Sequence, residues 1–448
     1  MKLNNILTPL FTGLILSVFS YHSYAQVDKQ SKVQENLSLE QAVQIALENN
    51  FDIKLKNNNL EVSKNNVDRG LAGMYPAVNG NFSSNNNIQN TTQTLSSGVL
   101  QERSGAKNTS LQYGPVLTWK IFDGFQMFAR YDQLKEFQKL GESSLKLAVQ
   151  TTLADVIGNY YSLVQQKQQI EALHTALEIS RIRLKNSKSR YEIGKAAKLE
   201  VLGAQVDLNS DTTKLLRQLD AYRTTKIKLN ELLARDLNTD FTVSDTIIIQ
   251  PDLQLSYLQA EANEQNPALQ AALISQRIAE LNLKQVKAGR YPQISVNTGY
   301  NFSRSTSDLG FARLSNGRGF NYGLTASINI FNGFAQSRNE KNAALGINES
   351  KLQYEKLSQN IASQLVSLHQ TYITNLELVG LEKQNLEVAH QNLDITMEKF
   401  KLGSVAPLVF REAQQNYLDA SVRYSNAQYQ AKLAEITLKQ IAGTLSFN

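Results

Sequence analysis

No cysteine occurs anywhere in the 448 residues. The chain therefore has no disulfide framework, no thiol nucleophile, no thiolate metal site and no cysteine to carry a lipid anchor. Histidine is nearly as scarce: there are four, and His174, His369 and His390 lie within helical patterns without a His-x-x-x-His pair. Neither a glycine-rich phosphate loop nor a G-x-S-x-G elbow occurs, so no enzymatic residue, metal site or cofactor is expected. The formal net charge of +6 is thinly spread and gives no support to a nucleic-acid partner. Beyond the first 25 residues no apolar run approaches the roughly 20 residues of a spanning helix, which excludes an α-helical integral membrane protein. Only seven prolines occur, none between Phe125 and Gln250, and this leaves room for very long helices.

What is present begins with an export signal. A short charged start, an apolar run from Ile6 to Phe19 and the small-x-small site Ser23-Tyr24-Ala25 make residues 1–25 a secretory signal peptide.

The remainder is duplicated. IFDGF at 121–125 returns as IFNGF at 330–334, and Gly194 returns as Gly403, both at an offset of 209. Tyr75-Pro76 returns as Tyr291-Pro292 at an offset of 216. One slip of seven residues between these landmarks implies a longer loop in the first copy. Ser38 with Gln41, and Ser256 with Gln259, each have the spacing of a capping box at a helix start. The period is too long for a solenoid.

Each half reads as a helix, two strands and a pair of long helices of about 60 and 40 residues, the longer on the order of 90 Å at the helical rise. Val149, Leu153, Val156, Tyr160, Leu163, Ile170, Leu173 and Leu177 follow three-and-four spacing, and Val379, Leu386, Leu393 and Phe400 recur every seven residues. Residues 26–75 hold an N-terminal segment and helix, 76–122 a hairpin, 123–234 a helix pair turning near 194, and 235–262 an irregular segment. The second half repeats the plan: helix over 263–291, hairpin over 292–331 and helix pair over 332–448, turning near 403.

The hairpin strands alternate with period two. Ile294, Val296, Thr298, Tyr300 and Phe302 share one face, as do Tyr322, Leu324, Ala326, Ile328 and Ile330, and in the first half Tyr113, Leu117, Trp119 and Ile121. A weaker strand runs through Val78 and Phe82. Polar stretches around 84–109 and 304–318 read as loops. No amphipathic layer follows to cover the apolar face, so the pattern suits an inverse barrel: apolar side to lipid, polar side to a lumen, in strands of about ten residues. Four strands cannot close a barrel, and open edges in lipid would leave backbone groups unsatisfied. Several copies must share one: two give a filled interior, three an open lumen.

With these features the chain resembles the TolC-like outer membrane efflux protein family, or outer membrane factors, over nearly its full length. The likeness rests on the duplicated halves, Tyr-Pro before each hairpin, the aromatic-Asp/Asn-Gly joint and the aliphatic-Gly turns. It implies an α+β membrane protein: a homotrimeric outer-membrane β-barrel of four strands per protomer, continued by a long periplasmic α-helical barrel. The implied role is the exit duct of a tripartite efflux or type I secretion system in a Gram-negative-type cell. Substrates would be exported passively, delivered by an inner-membrane transporter through a periplasmic adaptor (membrane fusion) protein. Arg235–Asp252 and the region before Ser38 would form a belt. The alternative from the residues alone is a secreted trimeric coiled-coil adhesin or structural stalk.

The resemblance makes the tips, Ile193-Gly194 and Leu402-Gly403, the adaptor-docking points, and Glu200 and Glu412 an acidic periplasmic gate, although Val409 stands at another position where the family carries an acid. The strand–helix joints are Phe122, Asp123, Gly124 and Phe125, and Phe331, Asn332, Gly333 and Phe334. In each, Ile121 or Ile330 ends the lipid-facing row, Phe122 or Phe331 ends the strand, and Asp123 or Asn332 caps the following helix. Phe125 and Phe334, with Tyr75 and Tyr291, contribute an aromatic belt against outer-membrane lipid.

Overall fold

The computed structural model describes residues 35–308 and 312–446, so the signal peptide expected over 1–25 lies outside the described residues. The first half runs β1 (Glu35–Asn36), α1 (Leu39–Asn49), α2 (Phe51–Asn65), β2 (Ala77–Thr94), β3 (Leu100–Phe122), α3 (Gln126–Glu192) and α4 (Lys198–Leu232). After β4 (Phe241–Thr242), the second half runs α5 (Leu255–Gln265), α6 (Pro267–Ala288), β5 (Gln293–Ser307), β6 (Leu314–Ser327), α7 (Ala335–Lys401) and α8 (Pro407–Ala442).

The long helices α3 and α7 have 67 residues each, about 100 Å at the helical rise. No proline interrupts either, and their periodic apolar positions do pack: Leu153, Val156, Tyr160, Leu163, Leu173 and Leu177 of α3 are buried, as are Leu393 and Phe400 of α7. Where single helices were expected ahead of each hairpin there are two, broken at Asn50 and at Asn266. Ser38 forms its capping box with Gln41, but Ser256 lies inside α5, whose cap position is Gln254 with no side-chain bond. The second capping box is thus absent, and the expected boundary at 262 falls within α5.

The strands form one antiparallel sheet in the order β2-β3-β5-β6. Its register bears out the alternation: Val78 lies opposite Leu117, Phe82 opposite Tyr113, Tyr113 opposite Phe302, Trp119 opposite Val296, and Tyr322 opposite Thr298. Rings on this face touch, with Tyr113 stacked on Phe302 at 5.0 Å. The face is open, Phe82, Tyr322 and Leu324 being 74%, 83% and 67% exposed, as a surface meant for lipid would be in a single protomer.

Three details differ from expectation. The strands are longer, 18 and 23 residues in the first hairpin and 15 and 14 in the second. The polar stretches read as loops continue the ladder, because pairing from Ser84↔Leu111 to Thr94↔Leu100 satisfies their backbone groups whatever the side chains. The ends are also unequal. A register shift between Lys120 and Phe122 sets Phe122, rather than Ile121, opposite Ile294. β6 stops at Ser327, so Ile330 and Phe331 lie beyond the strand: its partner begins at Gln293, just after Pro292, and offers nothing further to pair with.

Towards the sheet, helices pack in the order α2, α3, α6, α7; towards the tips, in the order α4, α3, α8, α7. Between these layers β1 pairs in parallel with β4, and the largest core cluster gathers Leu37, Val43, Val156, Leu163, Leu229, Phe241 and Ile247. The irregular segment after α4 therefore packs on the helices at mid-height, together with the chain just before Ser38.

Candidate functional site

The joint between sheet and helix is built the same way twice. Gly124 and Phe125 have φ of +71° and +69°, and Gly333 and Phe334 +64° and +63°. Two consecutive left-handed residues reverse the chain, and for a bulky aromatic that conformation costs about 1–2 kcal/mol. Here Phe125, not Asp123, occupies the helix-cap position, and Phe334, not Asn332. The Asp123 carboxylate accepts the Met127 N–H at 3.1 Å, and the Asn332 side chain accepts that of Gln336 at 3.3 Å. Phe122 meets Phe125 edge-on at 5.3 Å, and Phe331 meets Phe334 edge-on at 5.5 Å. Phe125 and Phe334 are 61% and 70% exposed, with Tyr75 and Tyr291 also outward.

The helix breaks are a second duplicated device, one the sequence reading missed. Buried Asn50 accepts the N–H groups of Asp52 and Ile53 and donates through Nδ2 to the Leu232 carbonyl at 2.9 Å. Asn266 accepts those of Ala268 and Leu269 and donates to the Ile441 carbonyl at 2.7 Å. Each caps one helix and receives the end of a long one. Tyr160 donates to the Leu37 carbonyl at 3.1 Å, while His369, 209 residues later, places Nε2 2.8 Å from the Leu253 carbonyl. Asn-Phe-Asp at 50–52 and Asn-Pro-Ala at 266–268 both carry an Asn-first cap signal that could have located these breaks.

At the far end, the turns after α3 and α7 close identically. The Gly194 N–H meets the Tyr191 carbonyl and the Lys195 N–H that of Arg190, at 2.9 and 2.7 Å; Gly403 and Ser404 repeat the pair on Phe400 and Lys399 at 3.0 and 2.9 Å. This double bond pattern needs φ > 0 at its glycine, and both have φ +74°. Ile193 and Leu402 stand out, 66% and 83% exposed. The tips flank a groove of about 710 Å³ lined by Arg190, Ile193, Lys195, Phe400 and Leu402.

The two candidate gate acids lie on different helices. Glu200 lies in the first turn of α4, where Oε2 is buried without a partner. Glu412 is exposed on α8, and nearby Val409 is 47% exposed.

Beside them lies a polar cluster that sequence reasoning did not find. Arg411 of α8 forks onto buried Asp211 of α4 at 2.6 and 2.9 Å, and Arg183 of α3 reaches Asp207 at 2.5 Å. Ser180 and Gln414 complete the chain, Ser180 donating to Asp211 at 2.6 Å and Gln414 to Ser180 at 2.9 Å. Burial on its own pushes the Asp211 pKa up, but hydrogen bonds from Arg411 and Ser180 and the charges of Arg411 and Lys214 outweigh it and hold the carboxyl below its ordinary value. The signal was available: Asp207 and Asp211 stand one helical turn apart on a face that must pack.

The sequence profile of the family described as outer membrane efflux protein matches residues 42–235 and 258–444, one segment in each half. The outer membrane protein TolC of Vibrio cholerae is 21% identical over 321 residues, covering 70% of this chain and 73% of that protein. TolC of Escherichia coli is 21% identical over 452 residues, covering 98% and 87%. Among solved structures, the CmeC outer membrane channel of Campylobacter jejuni superposes with a TM-score of 0.72 at 18% identity, covering 91% of this chain and 85% of that one. The named relatives are membrane proteins and channels, neither enzymes nor the adhesin or stalk that the residues alone left open. Since the profile runs through both halves and most of the chain, the protein belongs to the outer membrane efflux protein family and is an outer-membrane efflux channel with a large periplasmic helical part.

Proposed function

We propose that three copies assemble into one duct, a twelve-stranded barrel in the outer membrane continued by a twelve-helix barrel, through which substrates pass without energy input from this protein. The observation that carries the reading is the sheet itself: β2 and β6 are its outer strands, and its apolar face is uncovered. Open edges in lipid leave backbone groups unpaired at several kcal/mol each, so closure by further copies is required.

In this reading the tips at Ile193-Gly194 and Leu402-Gly403 dock a periplasmic adaptor that links the duct to an inner-membrane transporter. The exposed aliphatic side chains beside the tip groove support it, since an apolar anchor next to a groove is the usual core of a docking surface. Glu200 and Glu412, repeated three times around a narrow mouth, would raise the local cation concentration there.

The absence of cysteine makes a clean test. Leu402→Cys supplies a single thiol for a short photoactivatable cross-linker in intact cells. Adaptor cross-linked to the tip is expected, and Tyr75→Cys, at the opposite end, serves as the control. Equal yields from both positions, or no adaptor at the tip of a correctly assembled trimer, would overturn the docking reading.

A further inference from the structure

The outward face of the sheet carries two arginines where the apolar band ends. Arg318 lies opposite Phe302, in the row of Tyr113, and Arg304 lies one row further from the helices, opposite Leu111 and Asn316. Both positions have the same parity as Val296, Tyr300, Phe320 and Tyr322, so both side chains stand on the lipid side. Phe302 is eight residues along the strand from Ile294, about 20 Å of height at a tilt of about 40°. Arg304 adds about 5 Å. An apolar band about 25 Å tall ends there. Lipid-facing arginine is costly at the midplane and nearly free of penalty near an interface, which fits this height and no lower one.

Both arginines are exposed, and among the described residues neither has an ion-pair or hydrogen-bond partner. No acid is close enough in register to supply one. β2, β5 and β6 contain no aspartate or glutamate, and the acid of β3, Glu102, lies near the hairpin turn. Asp308 is engaged by the Lys107 N–H at 3.1 Å and by Arg103. Closing the barrel brings β2 of a neighbour beside β6, and β2 offers no carboxylate either. The two guanidinium groups flank a groove of about 460 Å³ floored by Leu111, Tyr113 and Phe302.

We propose that Arg304 and Arg318 hold the phosphate groups of an outer-leaflet lipid whose acyl chains lie down the aromatic face below. The inference rests on the barrel reading for its lipid-facing side. Guanidinium pairs match phosphate through parallel charge-assisted hydrogen bonds, and the groove floor is apolar where the first methylenes would lie. On the hairpin side of the barrel, away from the periplasmic helices, the lipid is that of the outer leaflet, so a phosphorylated glycolipid is the committed occupant.

The test uses the purified full-length trimer in a neutral detergent, with its heat dissociation followed on gels. Bisphosphorylated lipid A is the probe; monophosphoryl lipid A, phosphatidylcholine and inorganic phosphate are the comparisons. Bisphosphorylated lipid A is expected to raise the dissociation temperature by several degrees, more than the monophosphoryl form, and phosphatidylcholine to leave it unchanged. The combined Arg304→Gln and Arg318→Gln variant is expected to lose that shift while dissociating, without lipid, at the wild-type temperature. Arg304→Lys with Arg318→Lys keeps charge but not the fork, and is expected to retain part of the shift. An undiminished shift in the Gln variant, an equal shift from phosphatidylcholine, or the whole effect from inorganic phosphate would overturn the proposal. Conductance in planar bilayers separates the two readings: a wild type that conducts but ignores lipid A removes the lipid site alone, and one that neither conducts nor forms a trimer removes the duct.

Discussion

A methyl group added at Gly333 tests whether the duplicated halves close on one another. Inside the protomer, a Cβ at Gly124 would meet the Ala288 carbonyl oxygen at 2.5 Å and Tyr291 Cβ at 2.8 Å, whereas one at Gly333 would meet nothing within 4 Å. The repeat explains the difference. Ala72 and Tyr75 stand 216 residues before Ala288 and Tyr291, so in a closed ring the matching surface for Gly333 would be the first half of a neighbouring copy. In the assembled ring Gly333→Ala should therefore clash as Gly124→Ala does. Each pays about 1 kcal/mol for an L residue in the left-handed conformation. Forcing a methyl against backbone adds about 1–3 kcal/mol, for a total of about 2–4 kcal/mol per joint. Gly98→Ala is the reference, since Gly98 has φ +81° and nothing near its Cβ position. Heat dissociation of the detergent-purified trimer reads the effect, and both joint variants should fall well below Gly98→Ala. If Gly124→Ala destabilises while Gly333→Ala behaves like Gly98→Ala, the joints do not pack half to half around a ring.

Asn266→Ala and Asn50→Ala each remove a helix cap, worth about 1 kcal/mol, and strand a part-buried carbonyl at about 1 kcal/mol, so thermal unfolding should show a loss of about 2 kcal/mol. Asn266→Asp keeps the cap but not the Nδ2 donor and should fall between; equality with wild type would assign the whole effect to capping. The Asp211–Arg411 link should be pH-dependent. Its folded carboxyl pKa lies below the ordinary value of 3.8, so its stabilisation is complete above that value and is lost as pH falls through the lower, folded one. Asp211→Asn should flatten the acid limb of tip-region hydrogen exchange, and an unchanged limb would remove the link from the acid response. Replacing Glu200 and Glu412 together by glutamine should lower cation-over-anion selectivity in single-channel recordings, and unaltered selectivity would leave them as ordinary surface charges.

Much of this architecture could be read from residue order because its signals are local. A window free of proline announced the long helices, period-two alternation announced the strands, and a glycine at each tip announced a helix end that only positive φ can close. What escaped the reading depends on partners distant in sequence. The cap signal of Asn50 is local, but the bond its amide makes to the end of α4, 182 residues away, is not. The spacing of Asp207 and Asp211 hints at a packed acidic pair, but the partner that neutralises Asp211, Arg411 of α8, lies 200 residues away. The polar hairpin arms were misread for a related reason: an antiparallel ladder is satisfied by its backbone, so asparagine-rich strand and asparagine-rich loop look alike without their partner.

Comparing the halves sorts structural devices from specialised ones. The joints, the asparagine breaks and the glycine turns repeat with matching geometry, and all of them decide where the chain bends. A closed ring tolerates little variation there, since an error at one bend opens an edge in lipid or misaligns a helix about 100 Å long. The departures fall elsewhere: the first hairpin is longer, lysine follows one tip glycine where serine follows the other, and both lipid-facing arginines lie in the second hairpin. A ring of six similar units would present the same surface six times. Divergence at the two ends halves that to three, so a partner at the tips, or a lipid at the rim, meets a surface with the threefold symmetry of the whole chain and not the sixfold pattern of its bends.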